Sequence, residues 1–328
     1  MKKCMNITTY EDDLNRYRDA ADLAAFAAGY GLDGLEVMPG PVSVPYEFLP
    51  GQVVGVHMRC AYDWLDFWRG DREVLNREYG NEKTWSRVFG GHTKDALLRK
   101  GKADLAYARK TGAKYVVFHV SNIRTTDIFT YTFDYTDEDV LRASAEFVNE
   151  LLDGEEPSFD FLMENLWWPG LRFNDADVTR RFLERIHYLK KGLMLDTGHF
   201  LHTNLELQNQ EEAADYILHM LQVHQDLLDS IKGLHLHQSI SSAYVKKLLQ
   251  EKPDIPRDYE ERFAKSMEHV FAIDSHEAFT SGRVGEIVDM VKPEYVTLEF
   301  LSASREEHAG KLQAQAEALG WIKSEKIS

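Results

Sequence analysis

Glu36, His57, His119, Glu164, Asp196, His235 and Glu299 each stand at or near the C-terminal end of a short apolar run. The runs read Leu35-Glu36-Val37, Val56-His57-Met58, Phe118-His119-Val120, Met163-Glu164-Asn165, Leu195-Asp196-Thr197-Gly198-His199, Leu234-His235-Leu236-His237 and Leu298-Glu299-Phe300. An ionisable side chain inside such a run is costly unless it is paired or bound to a cation. Carboxylates and imidazoles around one cavity would repel or strand charge without a cation. Mixed oxygen and nitrogen donors suit Mn²⁺, Mg²⁺, Co²⁺ or Zn²⁺, and the two cysteines lack the spacing of a ligand pair. Two carboxylates flanking a substrate carbon also suit proton transfer from one face to the other. His235 and His237 lie two apart, so on a strand both point the same way.

The elements that must position these residues are short Val/Ile/Leu-rich runs alternating with amphipathic segments, the pattern of parallel strands covered on both faces. Eight strands are expected: Lys3–Thr8, Leu32–Met38, Val53–Met58, Tyr115–Val120, Phe159–Glu164, Leu193–Asp196, Ile231–His237 and Tyr295–Phe300. Helices are expected over Asp19–Tyr30, Thr93–Thr111, Asp137–Leu152, Asp175–Leu189, Glu211–Ser230 and Gly285–Val291, with Thr93, Asp137 and Asp175 as caps. Gly31, Gly112, Gly192 and Gly233 are read as turn residues between helix and strand. Eight βα units predict closure into a single-domain (β/α)8 TIM barrel over residues 1–328. The rival, an open doubly wound sheet, lacks any glycine-rich phosphate loop after a strand. Two stretches exceed a helix and its turns, 60–92 and 239–282. Both follow strands, so both are expected as long inserts on the face where barrel sites form.

The chain has 328 residues, 44% of them hydrophobic and 28% charged, and 38 Lys and Arg against 54 Asp and Glu give a net charge of −16. That balance disfavours a nucleic-acid partner, since phosphate binding needs a basic face. Only Cys4 and Cys60 are present, which fits a reducing cytoplasm. The N-terminal residues contain no apolar run of signal-peptide length, and no uncharged stretch approaches the ~20 residues that span a bilayer. A cytoplasmic protein with no membrane association is expected.

Four pieces in order, Leu162-Met163-Glu164-Asn165, Leu195-Asp196-Thr197-Gly198-His199, Gly233-Leu234-His235-Leu236-His237 and Val296-Thr297-Leu298-Glu299, resemble the xylose-isomerase-like barrel superfamily. That superfamily holds sugar isomerases and epimerases together with endonuclease IV. The resemblance implies one divalent metal on Glu164, Asp196, His235 or His237, and Glu299, with no organic cofactor. Of the two histidines one ligates and the other touches substrate, His235 being the favoured ligand. It further implies Glu164 and Glu299 as the acid/base pair and His199 as a substrate contact or a ligand of a second ion. His57, His119 and Glu36 are expected at the substrate, and Trp167-Trp168-Pro169 as aromatic surface at the mouth of the site. The leading expectation is a metal-dependent isomerase or epimerase acting on a sugar or polyol through an enediolate, in a homo-oligomer. An inosose-dehydratase-like lyase would share the first half-reaction. The alternative is a zinc endonuclease of the endonuclease IV branch, holding three ions with His57, His119, Asp274 and His276 as further ligands. Against that branch, His119 is followed by Val-Ser-Asn and not Pro-Gly-Ser. A third possibility is a degenerate barrel that binds a ligand without turnover.

Overall fold

A computed structural model describes residues 1–40, 47–59, 62–251 and 253–323. Eight parallel strands close into a barrel in sequence order. They are β1 (Lys2–Thr8), β2 (Gly34–Met38), β3 (Val53–His57), β4 (Tyr115–His119), β5 (Asp160–Glu164), β6 (Lys191–Asp196), β7 (Ile231–Leu236) and β8 (Tyr295–Leu298). The seam is β1 against β8, where Cys4 pairs with Thr297 and Met5 with Leu298.

Strand alternation then sorts the side chains. Phe161, Met163, Leu193, Leu195, Val296 and Leu298 face outward into the core shared with the helices. Cys4, Tyr115, Val117, Leu162, Met194 and Tyr295 plug the lower barrel. Continuing the inward series by twos along β4, β5, β6 and β8 leads to His119, Glu164, Asp196 and Glu299 at the top.

The outer helices cover Ala20–Gly29, Asp95–Thr111, Asp137–Leu151, Ala176–Arg185, Gln210–Val223, Val284–Val291 and Arg305–Ala318. Gly31 and Gly112 take the expected left-handed turn positions, whereas Gly192 and Gly233 lie inside β6 and β7. Asp175 caps its helix as expected, its side chain accepting from the Asp177 and Val178 amides. The cap before Asp137 is Thr136, which forms a reciprocal box with Asp139. Thr93 does not cap; the helix begins at Asp95 after Lys94. The stretch expected as one helix to Ser230 breaks at His224 into a 3-10 turn over Gln225–Ser230. The last helix, Arg305–Ala318, went unrecognised because its buried side includes His308 and Gln315 besides Leu312 and Ala316.

Both expected inserts are helical. The first carries Leu65–Arg69, Arg72–Tyr79 and Glu82–Phe89, and the second Ser242–Glu251 and Tyr259–Ile273. Both dock on the segment that follows β4. Asn122 Oδ1 accepts from the Trp64 and Leu65 amides at 2.8 and 2.9 Å, and the buried Arg124 guanidinium holds Asp66. From the second insert, Arg262 Nε donates to Thr125 Oγ1 at 2.8 Å. The inserts also meet each other, with the Tyr79 and Tyr259 rings 4.6 Å apart and Arg87 paired to Glu260.

Candidate metal centre

Glu164 is the hub. It is fully buried, and each carboxylate oxygen is flanked by two imidazoles. Oε2 lies 3.1 Å from His57 Nε2 and 3.2 Å from His119 Nε2. Oε1 lies 3.1 Å from His235 Nδ1 and 3.3 Å from His199 Nδ1. Burial opposes the Glu164 charge, but His119 and His235 outweigh it and hold the carboxyl well below the usual range.

Around this hub the donors converge in five overlapping sets. His57, His119 and Glu164 form one; Glu164, Asp196, His235 and Glu299 a second; His199, Asp274 and His276 a third; Glu36, His57 and His235 a fourth; His237, His276 and Glu299 a fifth. In each set the ligand atoms lie within 4.8 Å of one another. His237 bridges the second and third, with Nε2 3.0 Å from Asp196 Oδ2 and its ring stacked 4.0 Å from that of His276. Among the described residues, Glu164, Asp196, Asp274 and Glu299 form ion pairs with histidines and with no Lys or Arg.

The histidines are pre-aimed. His57 Nδ1 lies 3.0 Å from the Met58 carbonyl, His199 Nδ1 3.0 Å from that of Asn165, and His276 Nδ1 3.1 Å from that of Asp274. A proton donated to each carbonyl leaves the other ring nitrogen as a free donor pair. Glu36 plays the same part for His235. Its Oε2 is 3.0 Å from His235 Nε2 and accepts from Tyr115 Oη at 2.6 Å and Thr297 Oγ1 at 2.9 Å. Tyr115 reaches across the barrel because β3 has Gly55 there: a Cβ at that position would sit 2.1 Å from its ring. Glu36 is thus buried beneath His235, not open to a substrate as its place at the end of a strand run suggested.

Local chemistry holds the rest. Asn165 clamps Asp196, accepting from its amide at 2.9 Å and donating to its carbonyl at 3.0 Å. Gly198 starts the turn after β6 because a Cβ there would lie 1.9 Å from the His237 ring. Asp274 and His276 arrive at the end of the second insert. An antiparallel bridge between Gln238 and Glu277 pins that segment, and Ser239 Oγ donates to Asp274 Oδ1 at 2.9 Å and accepts from the His276 amide at 3.1 Å. His276 sits in the left-handed region at φ 47°, the kind of strained backbone that clusters at functional sites.

The donor set fits divalent cations: oxygen and imidazole donors, and buried carboxylates that, among the described residues, pair with no Lys or Arg. Glu299 adds a direct sign. Its Oε2 is 2.9 Å from His235 Nδ1 but off the line of a hydrogen bond, so this buried oxygen lacks a donor. Electrostatically the imidazoles stand in for the cation. Burial disfavours a charge on His235, but Glu299, Glu36 and Glu164 override it and raise its pKa well above the ordinary value. His199 is raised in the same way by Asp196 and Asp274, against the effect of burial.

Glu164, Asp196, His199, His235, His237 and Glu299 come together as the sequence suggested, and His57, His119, Asp274 and His276 join them. Trp167 and Trp168 do not line an open mouth. They are buried with Ile123, Ile128, Val245 and Val270 under the second insert, where Trp167 backs His199 at 5.3 Å and His202 at 4.6 Å. His202, Ser239 and Asn165 are the supporting residues that sequence reading missed. None ends an apolar run; Asn165 appears only as the neighbour of Glu164, and nothing in the local sequence marks His202 or Ser239.

Among solved structures, endonuclease IV from Thermus thermophilus superposes with a TM-score of 0.55 at 13% identity, covering 98% of this chain and 100% of that one. D-psicose 3-epimerase in the presence of D-fructose gives 0.51 at 11% identity and 98% coverage of both chains. L-ribulose 3-epimerase gives 0.51 at 12%, covering 97% of this chain and 92% of that one. These likenesses show the fold alone, a closed (β/α)8 barrel. No family model and no curated protein matches the sequence. Among the described residues no helix is long and apolar enough to cross a membrane.

Proposed function

We propose that this xylose-isomerase-like barrel is a divalent-metal enzyme whose centre takes more than one ion and hydrolyses a phosphate ester. One observation carries the reading: the donors fall into five overlapping sets, more than one ion can use, and the set His199, Asp274 and His276 shares no residue with the two sets that contain Glu164. A carboxylate with both oxygens enclosed by imidazoles is suited to bridging cations and poorly placed to touch a substrate carbon. Bound ions would supply positive charge for the phosphoryl oxygens and lower the pKa of an attacking water. The chain's own residues do the rest. Glu164 fixes the spacing of the donor sets, Asp196 and Asp274 neutralise the ions, and the carbonyl-tethered histidines keep their lone pairs inward. Glu299, the acid of the second set with the more exposed side chain, is placed to accept a proton from the water as its oxygen bonds to phosphorus, while the ester oxygen leaves with the P–O bonding pair and takes a proton from solvent. The net charge of −16 favours a small ester over a nucleic acid.

The expected isomerase or epimerase is the second reading. It is supported by the four-donor set Glu164, Asp196, His235 and Glu299, which suffices for one ion. Metal content per chain and turnover of 4-nitrophenyl phosphate separate the two. Two or three ions, with one lost in His119→Ala, support hydrolysis. A single ion, no ester cleavage and exchange of a sugar C–H with solvent deuterium would replace it with the epimerase. Under either reading Glu299→Gln removes turnover while leaving the fold intact.

A further inference from the structure

Beside the metal centre lies a cavity of about 810 Å³, within the size range of small-molecule sites. It is not the barrel lumen. Of the candidate metal ligands among the described residues, only His119 lines it. Its walls come from the first insert, from the helices Asp95–Thr111 and Asp137–Leu151, and from Tyr259–Ile273 of the second insert. Trp64, Phe89, Phe118, Ile128, Phe147 and Val270 make the lining apolar and largely aromatic.

One buried acid interrupts that lining. Asp63 faces the cavity at 7% exposure. Its Oδ2 accepts from Tyr79 Oη at 3.3 Å, and its Oδ1 has no hydrogen-bond partner. Burial, reinforced by Asp66 and Glu78, pushes its carboxyl well above the usual range. An occupant with an apolar body and one hydroxyl would match both the aromatic lining and the Asp63 oxygen.

We propose that this cavity receives the aromatic portion of the substrate, that a hydroxyl on that portion hydrogen-bonds Asp63 Oδ1, and that the reacting group is thereby delivered at His119 to the metal centre. Only the last clause rests on the ester-hydrolysis reading. The inserts then determine specificity, since they build the cavity and contribute no donor to the set formed by Glu164, Asp196, His235 and Glu299.

The test uses 1-naphthol and naphthalene as probes, with equilibrium dialysis against the whole protein, metal-loaded and metal-stripped. Met267 and Val88 line the cavity and are half-buried. Met267→Trp should fill it and weaken 1-naphthol binding at least tenfold with metal content unchanged; Val88→Trp replaces it should that variant fail to fold. Asp63→Leu should erase the preference for 1-naphthol over naphthalene, about fivefold for one hydrogen bond. No saturable 1-naphthol binding to the folded protein, or equal affinity in the filled variant, overturns the proposal. The two readings fail separately. Binding of 1-naphthol without hydrolysis of 1-naphthyl phosphate leaves the cavity site standing and removes the esterase. Hydrolysis of small phosphate esters without 1-naphthol binding does the reverse.

Discussion

Glu36→Gln tests whether the centre is tuned from beneath. Glutamine occupies the same volume, and its carbonyl can still accept from Tyr115 and Thr297, so the barrel should fold. What changes is the group 3.0 Å from His235 Nε2. With an ion bound, the carboxylate would keep the proton on Nε2 and leave Nδ1, 3.1 Å from Glu164 and 2.9 Å from Glu299, as the ligand atom. An amide that presents its NH₂ there makes Nε2 an acceptor and moves the proton to Nδ1, which removes the ligand. Even with the favourable tautomer the charge assistance is gone. Loss of such a partner typically costs about 10–100-fold in metal affinity, or roughly 1.4–2.7 kcal/mol at about 1.4 kcal/mol per decade. Competition with a fluorescent chelator, site by site, measures it. The set containing His235 should weaken while the His199, Asp274 and His276 set is unaffected. Unchanged affinity in a folded Glu36→Gln protein would show that His235 does not ligate through Nδ1, and the assignment of Glu36 as a positioning residue would fall.

Three further outcomes are expected. Ser239→Ala leaves the buried His276 amide without its acceptor and Asp274 Oδ1 without the serine donor, a loss of about 1–3 kcal/mol for the unpaired group; elemental analysis should show one ion fewer, and full occupancy would contradict the third donor set. Gly198→Ala places a methyl 1.9 Å from the His237 ring, so urea melts should show a loss of about 1–3 kcal/mol from overpacking, and a neutral result would mean that His237 turns away freely. His199, His235 and His237 have raised pKa values in the metal-free protein and hold protons that an ion must displace. Metal affinity should therefore fall as pH falls, with proton release visible by calorimetry in buffers of different ionisation enthalpy; pH-independent uptake would contradict this.

The barrel was legible because burial on both faces writes itself into composition, and the inward series was legible because strands alternate. Glu164, Asp196, His235 and Glu299 could be grouped from sequence alone, since each ends a run whose other members are apolar. Depth was not legible. Glu36 lies two residues short of the end of β2, whereas Glu164 ends β5, and it sits below His235 beside the Tyr115 ring that Gly55 admits. Trp167 and Trp168 read as mouth residues because they follow Glu164 directly; what buries them is an insert about a hundred residues later in the chain. Asp274 and His276 belong to no periodic element, and the Gln238–Glu277 bridge that delivers them is a non-local contact that leaves no pattern in sequence.

These differences trace a division of labour in the molecule. Donors on strands are fixed by the closure of the barrel, so the set formed by Glu164, Asp196, His235 and Glu299 exists wherever the barrel exists. The third set needs two things at once: His199 in the turn after β6, and an insert docked so that His276 holds a strained φ of 47°. The aromatic cavity depends on docking of the same insert, through Arg262 on Thr125 and the Tyr79–Tyr259 contact. Completion of the metal centre and formation of the cavity are therefore coupled through one structural element. An occupant that braces the inserts from the cavity side favours the geometry in which Asp274 and His276 face His199, and ions bound there favour the closed cavity by the same free energy.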